Sequence, residues 1–311
     1  MNIVCTEQLG LSAGYFESLV AHYAAIGHTF NYYMDRREDE ASLVERMANA
    51  DIAVISNIKL PASVLAACKN LKYLSVAFTG LDHIDLQFCA EHGIVVQNAA
   101  GYSTTAVSEL AVGMMIDVLR GVTAMDGTIR QGRGRGAFLG RELRGKTVGV
   151  VGTGAIGTAT IRLLLAFGCN VLAFNRSRHA EVEALGVKYV TLPELLQKSD
   201  IVTLHVPATA ETIGMIGRDE LALMKPTAIL VNTARGPVCN IPAVAEALKT
   251  SRIAGAAFDV FEQEPPLPTN HPLFGAPNCL LTPHIAFATE ESFAARAEIV
   301  FAHVDSRLKT L

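Results

Sequence analysis

The 311-residue chain is 50% hydrophobic and 18% charged, which excludes intrinsic disorder and, at ~100–200 residues per domain, provides for about two domains. Its 26 Lys and Arg against 30 Asp and Glu leave a net charge of −4, which argues against nucleic-acid binding as its main task. No apolar run reaches the ~18–20 residues that span a bilayer, and Met1-Asn2-Ile3-Val4-Cys5 has neither the basic nor the apolar region of a secretory signal, so no membrane partner and a cytoplasmic location are expected.

Short β-branched runs alternate with helical stretches along the whole chain, the pattern of an α/β protein with parallel sheets. In the first part the pattern predicts strands near 2–6, 52–56, 72–78 and 94–97, with helices near 12–26, 40–49 and 61–68. A long helix is predicted from Thr104 to Gly121. The second set predicts strands at 147–151, 170–174, 201–205, 228–231, 253–257 and 279–282, and helices at 155–167, 193–198, 242–249 and 289–309. Between the sets, Arg130 to Lys146 is basic and Gly-rich; in an acidic chain a solvated connection is expected there rather than a nucleic-acid contact. Cys5, Cys68, Cys89, Cys169, Cys239 and Cys279 are scattered without a Cys-x-x-Cys pair, so neither a zinc site nor a disulfide framework is expected. No His/Asp/Glu cluster points to a metal either.

The strongest local signal is Gly152-Thr153-Gly154-Ala155-Ile156-Gly157, a G-x-G-x-x-G that follows an apolar strand and opens a helix. The first glycine allows a tight turn, the second lets a pyrophosphate approach the backbone, and the third lets helix and strand pack closely. The helix N-terminus then faces the negative charge. An NAD site has an acidic residue about 20 positions on, accepting from the ribose hydroxyl. Here Asn175 stands at that point, followed by Arg176, Ser177 and Arg178. An uncharged amide beside two guanidinium groups favours NADP, whose 2′-phosphate they could pair with, over NAD.

Three later residues have the chemistry of a hydride-transfer site. Arg235 follows the predicted strand at 228–231, and at the carboxyl end of a strand it could clamp a carboxylate through two parallel hydrogen bonds. His284 ends the strand at 279–282, and imidazole titrates near neutrality, which suits proton exchange with a carbinol oxygen. Glu264 precedes it by 20 residues; a carboxylate against the ring would stabilise the imidazolium.

With these residues in order, the chain resembles the D-isomer-specific 2-hydroxyacid dehydrogenases nearly end to end. The likeness runs through Gly80-Leu81-Asp82-His83-Ile84-Asp85, Val107-Ser108-Glu109-Leu110, the glycine loop, Leu204-His205-Val206-Pro207, Asn232 to Gly236, Phe258 to Glu262, and Thr282-Pro283-His284-Ile285-Ala286. The resemblance implies two Rossmann-like, doubly wound parallel-sheet domains with the active-site cleft between them: a flavodoxin-like substrate domain from residues 1–98 and 285–311, and a dinucleotide domain from 99–284. It implies dimerisation through the cofactor domain. It gives Arg235 the substrate carboxylate and keto oxygen, His284 the acid/base role, Glu264 the support of His284, and Asp259 the nicotinamide carboxamide. His205, Pro207 and Thr233 fall in the cofactor site, with His205 shaping the pocket. The loop at Thr79 and Gly80 would grip the substrate carboxylate.

Phe78 replaces the first glycine of the family's Gly-x-Gly substrate loop, and Phe287 replaces a small residue after His-Ile-Ala. Either, with Tyr102, could form a pocket wall. His83 is expected in a structural turn, and Asp82 and Asp85 at a helix start. The chain closes soon after its last predicted helix, so no C-terminal regulatory domain of the kind some phosphoglycerate dehydrogenases carry is expected. Reduction of a small 2-oxo acid, glyoxylate or hydroxypyruvate first, is the favoured activity. A D-lactate or branched-chain or aromatic 2-hydroxyacid dehydrogenase using NAD is the alternative, and a non-catalytic dinucleotide-sensing scaffold a distant one.

Overall fold

The computed structural model describes residues 1–263 and 266–310. The chain forms two compact units, Met1–Ser103 with Ala288–Leu311, and Thr104–Phe287. The first unit runs β1 (Asn2–Cys5), α1 (Ala13–Ala25), β2 (Thr29–Tyr32), α2 (Glu40–Met47), β3 (Ile52–Ile55), α3 (Ala62–Ala67), β4 (Tyr73–Val76), α4 (Leu86–Glu91) and β5 (Val95–Asn98). The second runs α5 (Thr104–Arg120), α6 (Val122–Arg130), β6 (Thr147–Val151), α7 (Ala155–Ala166), β7 (Asn170–Phe174), α8 (Ala180–Glu183), β8 (Lys188–Tyr189), α9 (Leu192–Lys198), β9 (Ile201–Leu204), α10 (Arg218–Leu223), β10 (Ile229–Asn232), α11 (Ile241–Lys249), β11 (Gly255–Phe258) and β12 (Cys279–Leu281). The chain then returns to the first unit as α12 (Glu290–Leu308).

Both sheets are parallel. The first has the order β2-β1-β3-β4-β5 and the second β12-β11-β10-β9-β6-β7-β8. Strands β3, β4, β9, β10 and β11 are buried at every residue, as central strands of a sheet covered on both faces must be. In the second unit one face carries Leu195 and Leu196 of α9, Leu221 of α10 and Val244 and Leu248 of α11. The opposite face carries Met115 and Val118 of α5 and Ile161 and Leu164 of α7. The two windings start from neighbouring strands, β6 and β9, so the order reverses beside the glycine loop. In open α/β sheets ligands bind outside the carboxyl ends at such a reversal.

Half of the helices begin where a side chain takes an orphan backbone N–H. Ser12, Asp39, Asp85, Thr191, Asn240 and Thr289 each accept from an amide in the first turn of the helix that follows. Asp85 is thus the helix-start residue expected of it. The stretch after Arg130 is largely exposed, with Arg130 paired to Asp126 at 2.7 Å. Cys5, Cys68, Cys89, Cys169 and Cys239 are buried free thiols, and Cys279 is half-buried. No helix among the described residues is long and apolar enough to cross a membrane.

Candidate active site

The glycine loop joins β6 to α7. Gly152 has φ +97°, in the left-handed region, and its N–H donates to the Phe174 carbonyl at 2.8 Å. A Cβ on Gly152 would stand 2.5 Å from the His205 carbonyl oxygen, and one on Gly157 would stand 2.0 Å from the Gly152 carbonyl oxygen. Two of the three glycines are therefore required by the protein's own packing. Gly154 is different: a Cβ there would meet nothing within 4 Å, and no side chain caps α7. The first-turn amides of a 12-residue helix thus face clear space, with Ala155 exposed and Ile156 half-buried at its start. This cradle fits the pyrophosphate of a dinucleotide.

At the end of β7, Asn175 is tied into the chain itself. Its Oδ1 lies 3.5 Å from the Thr153 N–H, and its Nδ2 donates to Ser177 O at 2.8 Å and lies 3.2 Å from His179 Nε2. Thr153 Oγ1 meets the Tyr189 hydroxyl at 2.8 Å, and that hydroxyl accepts from His179 N. No local pattern marks Tyr189 or His179 as organisers of this loop, because their partners are set only once β8 lies beside β7. Arg176 and Arg178 are exposed, each with one long ion pair, 3.9 Å to Glu211 and 3.7 Å to Glu183. Such pairs hold surface cations weakly.

The other named residues of this unit follow the carboxyl ends of β9, β10, β11 and β12. His205 Nε2 lies 3.0 Å from Thr203 Oγ1, and its buried Nδ1 has no partner among the described residues. Burial pushes its pKa down to about 4, so the ring is neutral near pH 7. Pro207 lies just beyond, exposed, its carbonyl accepting from Thr212 Oγ1. Thr233 is buried, and its hydroxyl likewise has no partner among the described residues. Two orphaned polar atoms at the carboxyl ends of β9 and β10 are what a polar ligand could satisfy.

The Thr233–Arg235 turn is shaped by buried Asn232, whose Oδ1 accepts from Ala234 N at 3.0 Å and whose Nδ2 donates to Arg235 O at 3.0 Å. Arg235 itself is half-buried, with Nη1 donating to Ala234 O at 2.8 Å. Gly236 has to be glycine, since a Cβ there would fall within 2 Å of the Phe261 backbone.

His284 has φ +55°, a conformation that a non-glycine residue holds only under constraint. The constraint is Asp259, which is fully buried at the end of β11. Its carboxylate accepts from Thr282 Oγ1 at 2.6 Å, Ile285 N at 2.8 Å and Ala286 N at 2.8 Å, and its carbonyl accepts from His284 N at 2.8 Å. Burial raises the Asp259 pKa, while these donors and the charge of His284 oppose the rise. Asp259 therefore grips the backbone on both sides of His284, an arrangement that residue type and spacing did not reveal. The His284 ring meets the Phe287 ring edge-on at 5.2 Å. Glu264 lies outside the described residues.

The four substrate-loop candidates belong to the first unit. Phe78 is buried and meets the His83 ring edge-on at 6.2 Å, Thr79 is exposed with its carbonyl accepting from Asn98 Nδ2, and Gly80 is half-buried. Tyr102 is buried, with the Arg296 guanidinium 5.6 Å from its ring centre. Among the described residues no group of His, Cys, Asp or Glu could hold a metal ion.

Residues 112–286 match the family model described as D-isomer specific 2-hydroxyacid dehydrogenase, NAD binding domain. A glyoxylate reductase of Thermofilum pendens is 44% identical over 258 residues, covering 81% of this chain and 76% of its own. A hydroxypyruvate reductase of Blautia hydrogenotrophica is 31% identical, covering 92% and 90%. The solved structure of an acyclic imino acid reductase, Bsp5, with NADPH and D-Arg superposes with a TM-score of 0.90 over 100% of this chain and 98% of that one, at 29% identity. Its glycine cradle, its two parallel-sheet units and these likenesses agree: the chain belongs to the D-isomer-specific 2-hydroxyacid dehydrogenase family and is an oxidoreductase with an NAD-binding domain.

Proposed function

We propose that the protein reduces a small 2-oxo acid to the D-2-hydroxy acid, with glyoxylate and hydroxypyruvate as the favoured substrates and NADPH preferred over NADH. One observation supports this above all. A single sheet presents, at its carboxyl edge, an open glycine cradle after β6, an arginine after β10 and a histidine on a constrained turn after β12. The names of the Thermofilum and Blautia relatives favour the two substrates.

A nicotinamide dinucleotide bound in the cradle supplies the hydride that adds to the carbonyl carbon. The residues assigned to hold it are Gly152, Gly154, Ala155, Ile156 and Gly157 at the pyrophosphate, and His205, Pro207, Thr233 and Asp259 towards the nicotinamide. Arg235 holds the carboxylate and keto oxygen through parallel N–H donors and stabilises the charge that develops on that oxygen. His284 gives its proton to the same oxygen, and Glu264 is assigned to support the imidazolium. Thr79 and Gly80 are assigned to the carboxylate, with Phe78 and Tyr102 as walls that favour small acids. Asn175 brings no negative charge against a 2′-phosphate, and Arg176 and Arg178, exposed and weakly paired, are available to it together with Ser177. A cytoplasmic homodimer formed through the dinucleotide unit completes the proposal.

Initial rates on the purified protein test it, with NADPH and NADH in parallel across glyoxylate, hydroxypyruvate, pyruvate, phenylpyruvate and 2-oxoisocaproate. Faster turnover with NADPH on the two small acids is expected. Preference for NADH with a branched or aromatic acid would overturn the specificity, and tight dinucleotide binding without turnover on any acid would overturn the enzyme assignment in favour of a scaffold.

A further inference from the structure

The first unit contains a buried charge that the reaction above does not use. Arg296 projects from α12 and is 3% exposed. Its Nη2 donates to Leu9 O at 2.6 Å, and its Nη1 lies 3.3 Å from Ala77 O and 3.4 Å from Ser56 Oγ. Leu9 follows β1, Ser56 follows β3 and Ala77 follows β4, and these three strands are neighbours in the sheet. One guanidinium thus ties together the carboxyl ends of three adjacent strands.

Two details show how tightly this point is held. Leu9 sits at φ +55°, and the shortest Arg296 bond goes to its carbonyl, so the arginine secures a turn that leucine alone disfavours. Ser56 carries the rest: its N–H donates to Glu7 Oε1 at 2.9 Å, its hydroxyl to Ala77 O at 3.3 Å, and its carbonyl accepts from His83 Nε2 at 2.9 Å. A planar guanidinium spreads its donors over separate nitrogens in a fixed fork, here Nη2 towards Leu9 and Nη1 towards Ala77 and Ser56, whereas lysine carries its three donors on one nitrogen.

The charge matters as well as the shape. Buried Glu7 is already paired with Arg36 at 2.8 Å, and among the described residues no carboxylate lies within ion-pair distance of Arg296. Burial lowers the Arg296 pKa, but an arginine remains protonated. A buried cation held by neutral carbonyls and by the Phe293 and Tyr102 rings, 4.2 and 5.6 Å from its guanidinium carbon, without a carboxylate of its own, is costly to keep. It stands next to the residue that leads directly into Phe78-Thr79-Gly80, whose carbonyl at Ala77 it holds.

We propose that Arg296 is the positioning residue of the Phe78–Gly80 loop, fixing the loop backbone through Ala77 and lending it the positive potential that favours the carboxylate of a 2-oxo acid. The inference rests on the assignment of Thr79 and Gly80 to that carboxylate. It also explains how α12, from the far end of the chain, bears on substrate recognition.

Steady-state kinetics of Arg296→Lys and Arg296→Met with glyoxylate and NADPH test it, together with binding of oxamate, an unreactive 2-oxo acid analogue. Arg296→Lys keeps the charge and loses the fork, so the glyoxylate KM should rise about tenfold with kcat held within about twofold. Arg296→Met loses both, so the KM should rise about a hundredfold, oxamate binding weakening in parallel and the NADPH KM unchanged. If the Met variant does not fold, the Lys variant decides alone. An unchanged glyoxylate KM in an active Lys variant overturns the inference, as does a rise in both KM values together, which a general loss of structure would produce. A wild-type protein that neither turns over nor binds any 2-oxo acid overturns instead the functional assignment on which the inference stands.

Discussion

At the scale of single residues, the site depends on backbone geometry that one buried carboxylate imposes. A histidine at φ +55° costs on the order of 1–3 kcal/mol, and the four bonds from Asp259 offset it. Asparagine at this position would turn an N–H toward a backbone N–H it must accept from, leaving a buried donor unsatisfied. Asp259→Asn should therefore lower kcat at least about tenfold through the displaced His284, with thermal stability also reduced. An unchanged kcat would show that Asp259 does not hold the histidine in place. His205 makes a prediction of the opposite kind, about pH. Its folded pKa of about 4 lies below the ordinary 6.5, so between these values the unfolded chain carries a proton that the folded chain refuses. The wild type should have its full stability above pH 6.5 and lose the His205 contribution as pH falls toward 4. Thermal melts of wild type and His205→Gln across that window check this: the wild type should lose more, and parallel losses would contradict it.

At the scale of elements, the three glycines of the β6–α7 loop are not equivalent. Gly157→Ala would drive a Cβ to 2.0 Å from a backbone oxygen and should destabilise the fold. Gly154→Ala meets only open space at φ −68°, so the protein should fold with an unchanged melting temperature. Its new methyl group would occupy the place of a pyrophosphate, and the dinucleotide Kd should rise about tenfold or more. A Gly154→Ala variant that binds dinucleotide as well as wild type would remove this loop from the binding site. The loop was legible in the sequence because its signal is local: strand, three glycines at fixed spacing, helix. Elements without a local signal were not. β2, Thr29-Phe30-Asn31-Tyr32, is only four residues long and α6 only nine with none of them buried, so the alternation of the one and the amphipathic face of the other are too brief to stand out. α10 is short and holds a single fully buried leucine, Leu221. Roles played through distant partners escaped for a related reason, the grip of Asp259 on the His284 turn among them. Asp259, Arg296 and Tyr189 each reach backbone or side chains that only the folded sheets bring near.

At the scale of the whole molecule, the chain's middle forms one unit and its two ends form the other, with no Gly/Ser- or Pro-rich linker to announce the junctions. The doubly wound class was legible from strand–helix alternation, and the strand orders supply what alternation leaves open, namely which carboxyl ends lie side by side. In the second unit Val122, Ile129 and Leu139 are 55%, 65% and 83% exposed, and Ile129 and Leu139 line one surface cleft with Phe138. For the proposed homodimer this patch is the natural interface. Sedimentation should give the mass of a dimer for the wild type and of a monomer for Leu139→Asp, and a wild-type monomer would contradict the assembly.

The central claim is that His284 passes the proton that accompanies hydride transfer to a 2-oxo acid. Its most direct test is glyoxylate reduction by wild type and His284→Ala, with NADPH affinity measured alongside. Turnover should fall about a hundredfold or more while the dinucleotide Kd stays the same, because the lost group acts on the carbonyl oxygen and not on the cofactor. Undiminished turnover in the variant would exclude His284 as the proton donor.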